Sequence, residues 1–165
     1  MSKAYIALGT NLGNRKSNLQ NAVTLINSRT GIFVRQLSGI YETAPVGGPE
    51  QGPYLNACAL LESKLPPTIL MQTLLDLEDQ MGRIRTEHWG PRIIDLDLLV
   101  YEGVIINTPL LTLPHPRMEE RDFVLIPLND LAPNLLVPGW TKTVGQVLEN
   151  RLPAGEAVQL CDSFQ

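Results

Sequence analysis

Asp95 and Asp97 are the residues whose type and spacing point most directly to chemistry. Within Arg92-Ile-Ile-Asp-Leu-Asp-Leu-Leu-Val-Tyr101 they stand two positions apart, and an extended strand projects both carboxylates from the same face. Two like charges held so close cost energy unless a cation joins them. Mg²⁺ suits such a pair, because it takes one or two carboxylates and fills its shell with water and substrate phosphate oxygens. An Asp-x-Asp pair is common, and the bland reading is two solvated acids on an exposed strand. Its setting among Leu96, Leu98 and Leu99, three residues after Arg92, favours half of a metal–nucleotide site.

The cations point the same way. Between Gly82 and Arg121 lie five arginines (Arg83, Arg85, Arg92, Arg117 and Arg121), no lysine, and both histidines, His88 and His115. Arginine's planar fork meets phosphate oxygens in pairs and stays charged at any relevant pH. Exposed ion-pair partners for the seventeen acids are the competing reading, of roughly equal weight on charge alone. Trp89 sits in the polar stretch Gly82–Pro91, away from core-forming periodicity, as either a loop anchor or a cover for a flat heteroaromatic substrate. Tyr54 and Asn56 share a strand face. Asn56 offers the donor and acceptor that an amide-like ring edge needs, or is a satisfied buried asparagine. No G-x-x-x-x-G-K-[ST] run is present, so phosphate binding of the P-loop kind is excluded. Gly9-Thr-Asn-Leu-Gly13 lacks the lysine and reads as a tight turn.

The elements that must position these residues follow from periodicity. Lys3–Gly9 alternates as a strand, with Ala4, Ile6 and Leu8 on one face. A helix is expected from Arg15 to Ser28, with Leu19, Ala22, Val23 and Ile26 on its inner side and Gly31 ending it. Ile32–Tyr41 reads as a strand with an irregularity near Ser38-Gly39. Thr43–Pro53 is a loop rich in glycine and proline, which a sheet interior or helix cannot hold; loops of this length are usually functional or disordered. Tyr54–Glu62 is a strand, Pro66-Pro67 opens a helix to Met81 with the stripe Leu70, Leu74, Leu77 and Met81, and Gly82–Pro91 is irregular. Arg92–Tyr101 is a strand that Glu102-Gly103 turns back along Val104–Ile106 as a hairpin. A short helical piece containing Arg117 and Arg121 is expected, then a helix or turn around Leu125–Leu131, and the C-terminal third gives no firm reading. The order β-α-β, loop, β-α-β predicts a ferredoxin-like α+β sandwich, an antiparallel sheet with helices packed on it and two long mobile loops.

The bulk properties set the bounds. The 165 residues, 44% hydrophobic and 18% charged with a net charge of −4, fit one domain, residues 1–165, able to bury its own core. Net acidity disfavours a nucleic-acid partner. No run of roughly 20 apolar residues is available to span a membrane, and the N-terminal apolar run is too short for a signal peptide. Cys58 and Cys161 are far apart, in no metal-type spacing, and read as free thiols. A cytoplasmic location is the resulting expectation.

At His88-Trp-Gly-Pro-Arg-Ile-Ile-Asp-Leu-Asp97 the sequence resembles the 6-hydroxymethyl-7,8-dihydropterin pyrophosphokinase family (2-amino-4-hydroxy-6-hydroxymethyldihydropteridine diphosphokinases). The likeness extends to Ala7-Leu-Gly-Thr-Asn-Leu-Gly-Asn14, Tyr41-Glu-Thr-Ala-Pro45, Tyr54-Leu-Asn56, Gly82-Arg-Ile-Arg85, Leu113-Pro-His-Pro-Arg117 and Arg121-Asp-Phe-Val124. It covers most of residues 4 to 135 in the family's order and spacing. It implies transfer of pyrophosphate from ATP to the hydroxymethyl dihydropterin in folate synthesis, with Asp95 and Asp97 holding two Mg²⁺ ions. Arg83, Arg92, Arg121 and His115 resemble the phosphate clamp, and Arg85 falls on a lid position. The nucleotide site it implies also takes in Trp89, Leu98 and Thr112. Thr43, Ala44, Val46, Tyr54, Asn56, Asp95, Trp89 and Phe123 resemble the pterin site, with Trp89 and Phe123 sandwiching the ring. His88 stands where relatives often carry arginine, and Leu110 and Pro116 where some use polar or aromatic nucleotide contacts; these departures bear on nucleotide affinity and closure rather than on the reaction. A monomer is implied. The rivals are another Mg²⁺-dependent phosphotransferase, separable by a substrate panel, and a non-enzymatic ferredoxin-like RNA- or ligand-binding module, separable by retention on single-stranded RNA.

Overall fold

A computed structural model describes residues 1–43, 52–82, 93–151 and 158–164. Strand β1 (Ser2–Thr10) alternates as its sequence does, sending Ala4, Ile6 and Leu8 into one core and Tyr5 and Ala7 towards another. Helix α1 (Arg15–Ser28) begins where Asn14 accepts the Ser17 amide at 3.1 Å, which satisfies one of the donors that a helix start leaves without an internal partner. It buries Leu19, Ala22 and Ile26.

The expected strand across residues 32–41 is two, β2 (Ile32–Leu37) and β3 (Ile40–Thr43). The break has a visible cause. Ser38 donates its amide to the Cys58 carbonyl at 3.0 Å, and its hydroxyl accepts the Cys58 amide at 2.8 Å. A side chain thus supplies one rung of the ladder and leaves Gly39 free to bend. Strand β4 (Tyr54–Ser63), helix α2 (Pro67–Gln80) and strand β5 (Asp95–Tyr101) follow. The sheet runs β5-β1-β4-β3-β8, the last being Val158–Asp162 near the C-terminus, with β2 also paired to β4, and every pairing is antiparallel. Helices α1 and α2 cover one face through Leu19, Ala22, Ile26, Leu70, Leu74 and Leu77. This is the ferredoxin-like α+β sandwich that the element order predicts.

Two expectations need correction. The strand begins at Asp95, not Arg92: the Ile93 carbonyl is taken by the Thr10 hydroxyl, which donates to it at 2.5 Å, so it is bound by a side chain rather than by a ladder. Glu102-Gly103 does turn the chain, with Gly103 at φ +70, but no hairpin onto β5 forms. Strand β6 (Ile106–Asn107) pairs instead with β7 (Thr112–Leu113) as a separate ribbon. The outer edge of β5 that a hairpin would need is already occupied, because His115 donates its amide to the Leu99 carbonyl at 2.8 Å and Glu78 accepts the Leu96 amide, also at 2.8 Å.

The C-terminal third closes the other face. After a 3₁₀ turn (Met118–Glu120), helix α3 (Asp122–Leu131) and helix α4 (Val144–Glu149) pack Val124, Leu125, Leu128 and Val144 against Tyr5, Cys58 and Val100. Strand β8 (Val158–Asp162) then pairs with β3, Thr43 opposite Val158. Arg151, just beyond α4, fixes the start of α3 by donating to Asp122 at 2.7 Å and to the Glu119 carbonyl. Arg151→Met is expected to lower stability by about 1–2 kcal/mol, the scale of losing partly buried hydrogen bonds to a charged group; urea midpoints at unchanged slope will read it.

Asp130 of α3 accepts both the Tyr41 hydroxyl at 2.8 Å and the Gly39 amide at 3.1 Å. Burial and the Asp130 carboxylate push the Tyr41 phenol up to about 12. An unfolded tyrosine loses its proton near its ordinary value of about 10, so between these two values the native state holds more protons and stability falls as pH rises. Tyr41→Phe is expected to remove part of that alkaline loss, measured as the change in urea midpoint between pH 9 and pH 11.5 against the wild type.

Candidate functional site

The α3–α4 layer covers only part of the second sheet face. At the other end the described residues leave the face open as a cavity of about 530 Å³. Its floor is β1, where Ala7 and Gly9 present almost no side chain. Strand register builds the walls. Gly9 lies opposite Asn56 on β4 and Asp95 on β5, and Ala7 lies opposite Cys58 and Asp97. Cross-strand partners share a face, so Asp95 and Asp97 stand along one side of a glycine-alanine floor and Asn56 along the other. Both carboxylates line the cavity, half-buried.

The β4 side is polar and rigid. Asn56, 7% exposed, donates through Nδ2 to Thr43 Oγ1 at 2.7 Å. With its amide hydrogen engaged there, the Asn56 carbonyl oxygen faces Gly9: a Cβ placed on Gly9 would lie 3.3 Å from Asn56 Oδ1 and 3.9 Å from Tyr54 Cδ1. The glycine leaves the space that a flat ring against Asn56 and Tyr54 needs. Phe123, at the start of α3, closes the third side, with the Arg121 guanidinium 5.6 Å from its ring centroid. Their contact is of the cation–π kind and holds the charge beside the ring.

His115 reaches this region through a β-bulge. The β1–β5 register slips between Tyr5 and Ile6, which leaves Leu99 as an extra residue whose carbonyl binds the His115 amide. The imidazole is brought within the field of Asp97, Arg117 and Arg121. Burial, reinforced by the two arginines and opposed by Asp97, holds its pKa below the ordinary histidine value. Nδ1 accepts the Arg117 amide at 3.3 Å, so a neutral ring carries its hydrogen on Nε2. A histidine in that tautomer donates to an anion. It is not set up as a base.

The structure therefore brings Thr43, Tyr54, Asn56, Asp95, Asp97, Arg121 and Phe123 together around one cavity. Leu98 does not join them; it is 2% exposed in the core under α1 and α2. Thr112 is half-buried in the β6–β7 ribbon, and Leu110, 88% exposed, lies in the ribbon's turn. Pro116 is exposed beside His115. Ala44, Val46, Arg83, Arg85, His88, Trp89 and Arg92 lie outside the described residues, as do both expected loops in their central parts. Arg117 and Glu120 line the cavity as well, and neither was expected as a site residue. Arg117 carried a signal in the arginine-only cluster; Glu120, in an ordinary charged run, carried none. Among the described residues no three His, Cys, Asp or Glu side chains converge as a metal cage. A pair of carboxylates without further protein ligands suits an ion that arrives with its own phosphate oxygens.

Fold and cavity together define a ferredoxin-like α+β domain whose sheet face carries a pocket lined by paired carboxylates, arginines, a buried amide and aromatic rings. The family described as 7,8-dihydro-6-hydroxymethylpterin-pyrophosphokinase matches residues 5–133. Similar curated proteins named 2-amino-4-hydroxy-6-hydroxymethyldihydropteridine pyrophosphokinase include one from Methylorubrum extorquens, 39% identical over 94% of this chain and 97% of its own length. One from Bacillus subtilis is 43% identical over 78% of this chain and 77% of its own. Among solved structures, a Plasmodium falciparum HPPK-DHPS chain superposes with a TM-score of 0.74 at 14% identity, over 90% of this chain but 43% of that one. At that identity it shows the fold, and this chain spans under half of it. The chain belongs to the 6-hydroxymethyl-7,8-dihydropterin pyrophosphokinase family.

Proposed function

We propose that this chain transfers the pyrophosphoryl group of ATP to the alcohol of 6-hydroxymethyl-7,8-dihydropterin, releasing AMP, as a step in folate synthesis. The observation that carries the reading is one cavity in which Asp95 and Asp97 face Asn56 and Thr43 across Gly9. Asn56 Oδ1 accepts from the amino-amide edge of the pterin, and Phe123 and Tyr54 flank the ring. This places the hydroxymethyl arm towards the β5 carboxylates.

Asp95 and Asp97 fit Mg²⁺ by their spacing, their common orientation and their place in a polar cavity, and we assign them as its protein ligands, for two ions with the nucleotide. Bound there, Mg²⁺ would neutralise phosphate charge and ease loss of the alcohol proton. The chain's own groups do the rest. Arg121 and Nε2–H of His115 hold phosphate oxygens that gain charge as the reaction proceeds, and Arg83 and Arg92 belong to the same clamp through the family likeness. The alcohol oxygen bonds to the β-phosphorus, the bond from that phosphorus to the α,β-bridging oxygen breaks, its electron pair leaves with AMP, and the alcohol proton is released. We further propose that residues 1–165 act as a single monomeric domain in the cytoplasm, without a nucleic-acid partner. Free thiols at Cys58 and Cys161 and a net charge of −4 support this, and among the described residues no helix is long and apolar enough to cross a membrane.

The test measures AMP from ATP and Mg²⁺ with and without the pterin alcohol. AMP and pterin diphosphate are expected in equal amounts, with slow ATP hydrolysis when the pterin is omitted. Brisk pterin-independent hydrolysis, or an equal rate with an unrelated alcohol, overturns the reading.

A further inference from the structure

Helix α2 carries an acid where its core stripe calls for an apolar residue. Glu78 follows Leu70, Leu74 and Leu77 on the buried side and is 4% exposed. A carboxylate is costly to bury unless it is hydrogen-bonded, and Glu78 is: Oε2 accepts the backbone amide of Leu96 at 2.8 Å. Leu96 is the residue between Asp95 and Asp97.

The geometry of an antiparallel pair explains why that amide matters. Successive amides of a strand point to opposite edges. The Leu96 amide turns outward, away from β1, and among the described residues β5 is the last strand on that side. The amides of Asp95 and Asp97 consequently face β1, opposite Gly9 and Ala7. Without Glu78 the strand would be held from one side only, at the residue whose pleat sets the direction of both cavity-facing carboxylates. Thr10 holds the same strand start by its bond to the Ile93 carbonyl. Glu78 itself stays on the α2 side, across the sheet from the cavity, and lines none of it.

We propose that Glu78 is a positioning residue for the Mg²⁺–nucleotide site, fixing the divergence of the Asp95 and Asp97 carboxylates through the Leu96 amide. The inference rests on the pyrophosphokinase reading for the identity of the ligand. Groups that orient metal ligands from behind typically control metal affinity by about 10- to 100-fold. Towards the Leu96 amide Glu78 supplies an acceptor at a fixed distance, a role that glutamine should keep and aspartate, one methylene shorter, should not.

The experiment measures Mn²⁺ binding by water-proton relaxation in the presence of an α,β-methylene analogue of ATP. The proteins are the full chain and its Glu78→Gln, Glu78→Asp and Glu78→Met variants, and pterin binding without nucleotide or metal is followed by calorimetry. Glu78→Gln is expected to keep Mn²⁺ affinity within about 2-fold, Glu78→Asp to weaken it several-fold, and Glu78→Met to weaken it by about 10-fold or more, while pterin affinity stays unchanged in all three. A structural loss alone would lower the folded fraction and both affinities together. Wild-type Mn²⁺ affinity in folded Glu78→Asp, or equal weakening in Glu78→Gln and Glu78→Asp, overturns the positioning role. If the wild-type protein binds no Mn²⁺ with the analogue, the metal–nucleotide reading falls and this inference falls with it. Should Glu78→Met not fold, the Gln–Asp comparison decides.

Discussion

With Asp97 replaced by alanine, AMP formation is expected to fall by at least ~10²-fold, the scale of losing one group that stabilises transition-state charge, without loss of stability. The two halves of that expectation have separate causes. Asp97 lies on the cavity side of β5, opposite Ala7, and truncating it leaves the core side of the strand untouched. Strand β5 keeps its hold on the sheet through Leu96 and Leu98, 1% and 2% exposed in the core below. Turnover therefore separates from folding. Chemical quench of AMP production beside a urea midpoint measures both, and an Asp97→Ala protein that makes AMP at near wild-type rate contradicts the assignment of the pair.

Gly9→Val is expected to leave the fold intact and weaken pterin binding by roughly 10²-fold, the range that added methyl groups reach in a close-fitting pocket. Valine suits a strand and its backbone needs no unusual φ here. Its Cβ alone would sit 3.3 Å from Asn56 Oδ1 and 3.9 Å from Tyr54 Cδ1, and its two methyl groups would occupy the space where the ring lies. Asn56 Oδ1, the acceptor proposed to read the pterin edge, is then both covered and crowded. Because the atoms nearest the new Cβ belong to Asn56, Tyr54 and Leu55 and none to Asp95 or Asp97, nucleotide binding should persist, so calorimetry with each ligand separately gives a clear split. Equal loss of both ligands, or of neither, would show that the ring does not lie against Gly9.

Much of this site was legible in the sequence because it is built on strands. A period of two fixes which residues share a face, and that rule alone pairs Asp95 with Asp97 and Tyr54 with Asn56. The α1 limits, Arg15 and Ser28, were legible from the Leu19–Ile26 stripe and the glycines around it. The hairpin after Gly103 was misread because turn chemistry says where a chain reverses, not whether the edge it returns to is free. Here His115 and Glu78 hold that edge, and both come from distant sequence. The C-terminal third held one readable device, the capping box in which Thr143 and Gln146 bond each other's backbone at the start of α4; β8 carries no comparable mark, since its residues are mostly exposed and its place is set by pairing with β3. Glu78 was hidden by its own helix, where an acid beside a leucine stripe reads as surface. Arg117 belongs to the cavity through a short turn whose direction no periodicity predicts.

The bonds that Glu78 and His115 make to β5 have a consequence for how copies of this protein meet in a crowded solution. A bare outer strand presents alternating donors and acceptors to which any other extended chain can anneal. On β5 the Leu96 donor is capped by a carboxylate and the Leu99 acceptor by a backbone amide from another segment, so an intruding strand finds two attachment points taken. The same contacts that aim the site thereby guard its margin against self-association.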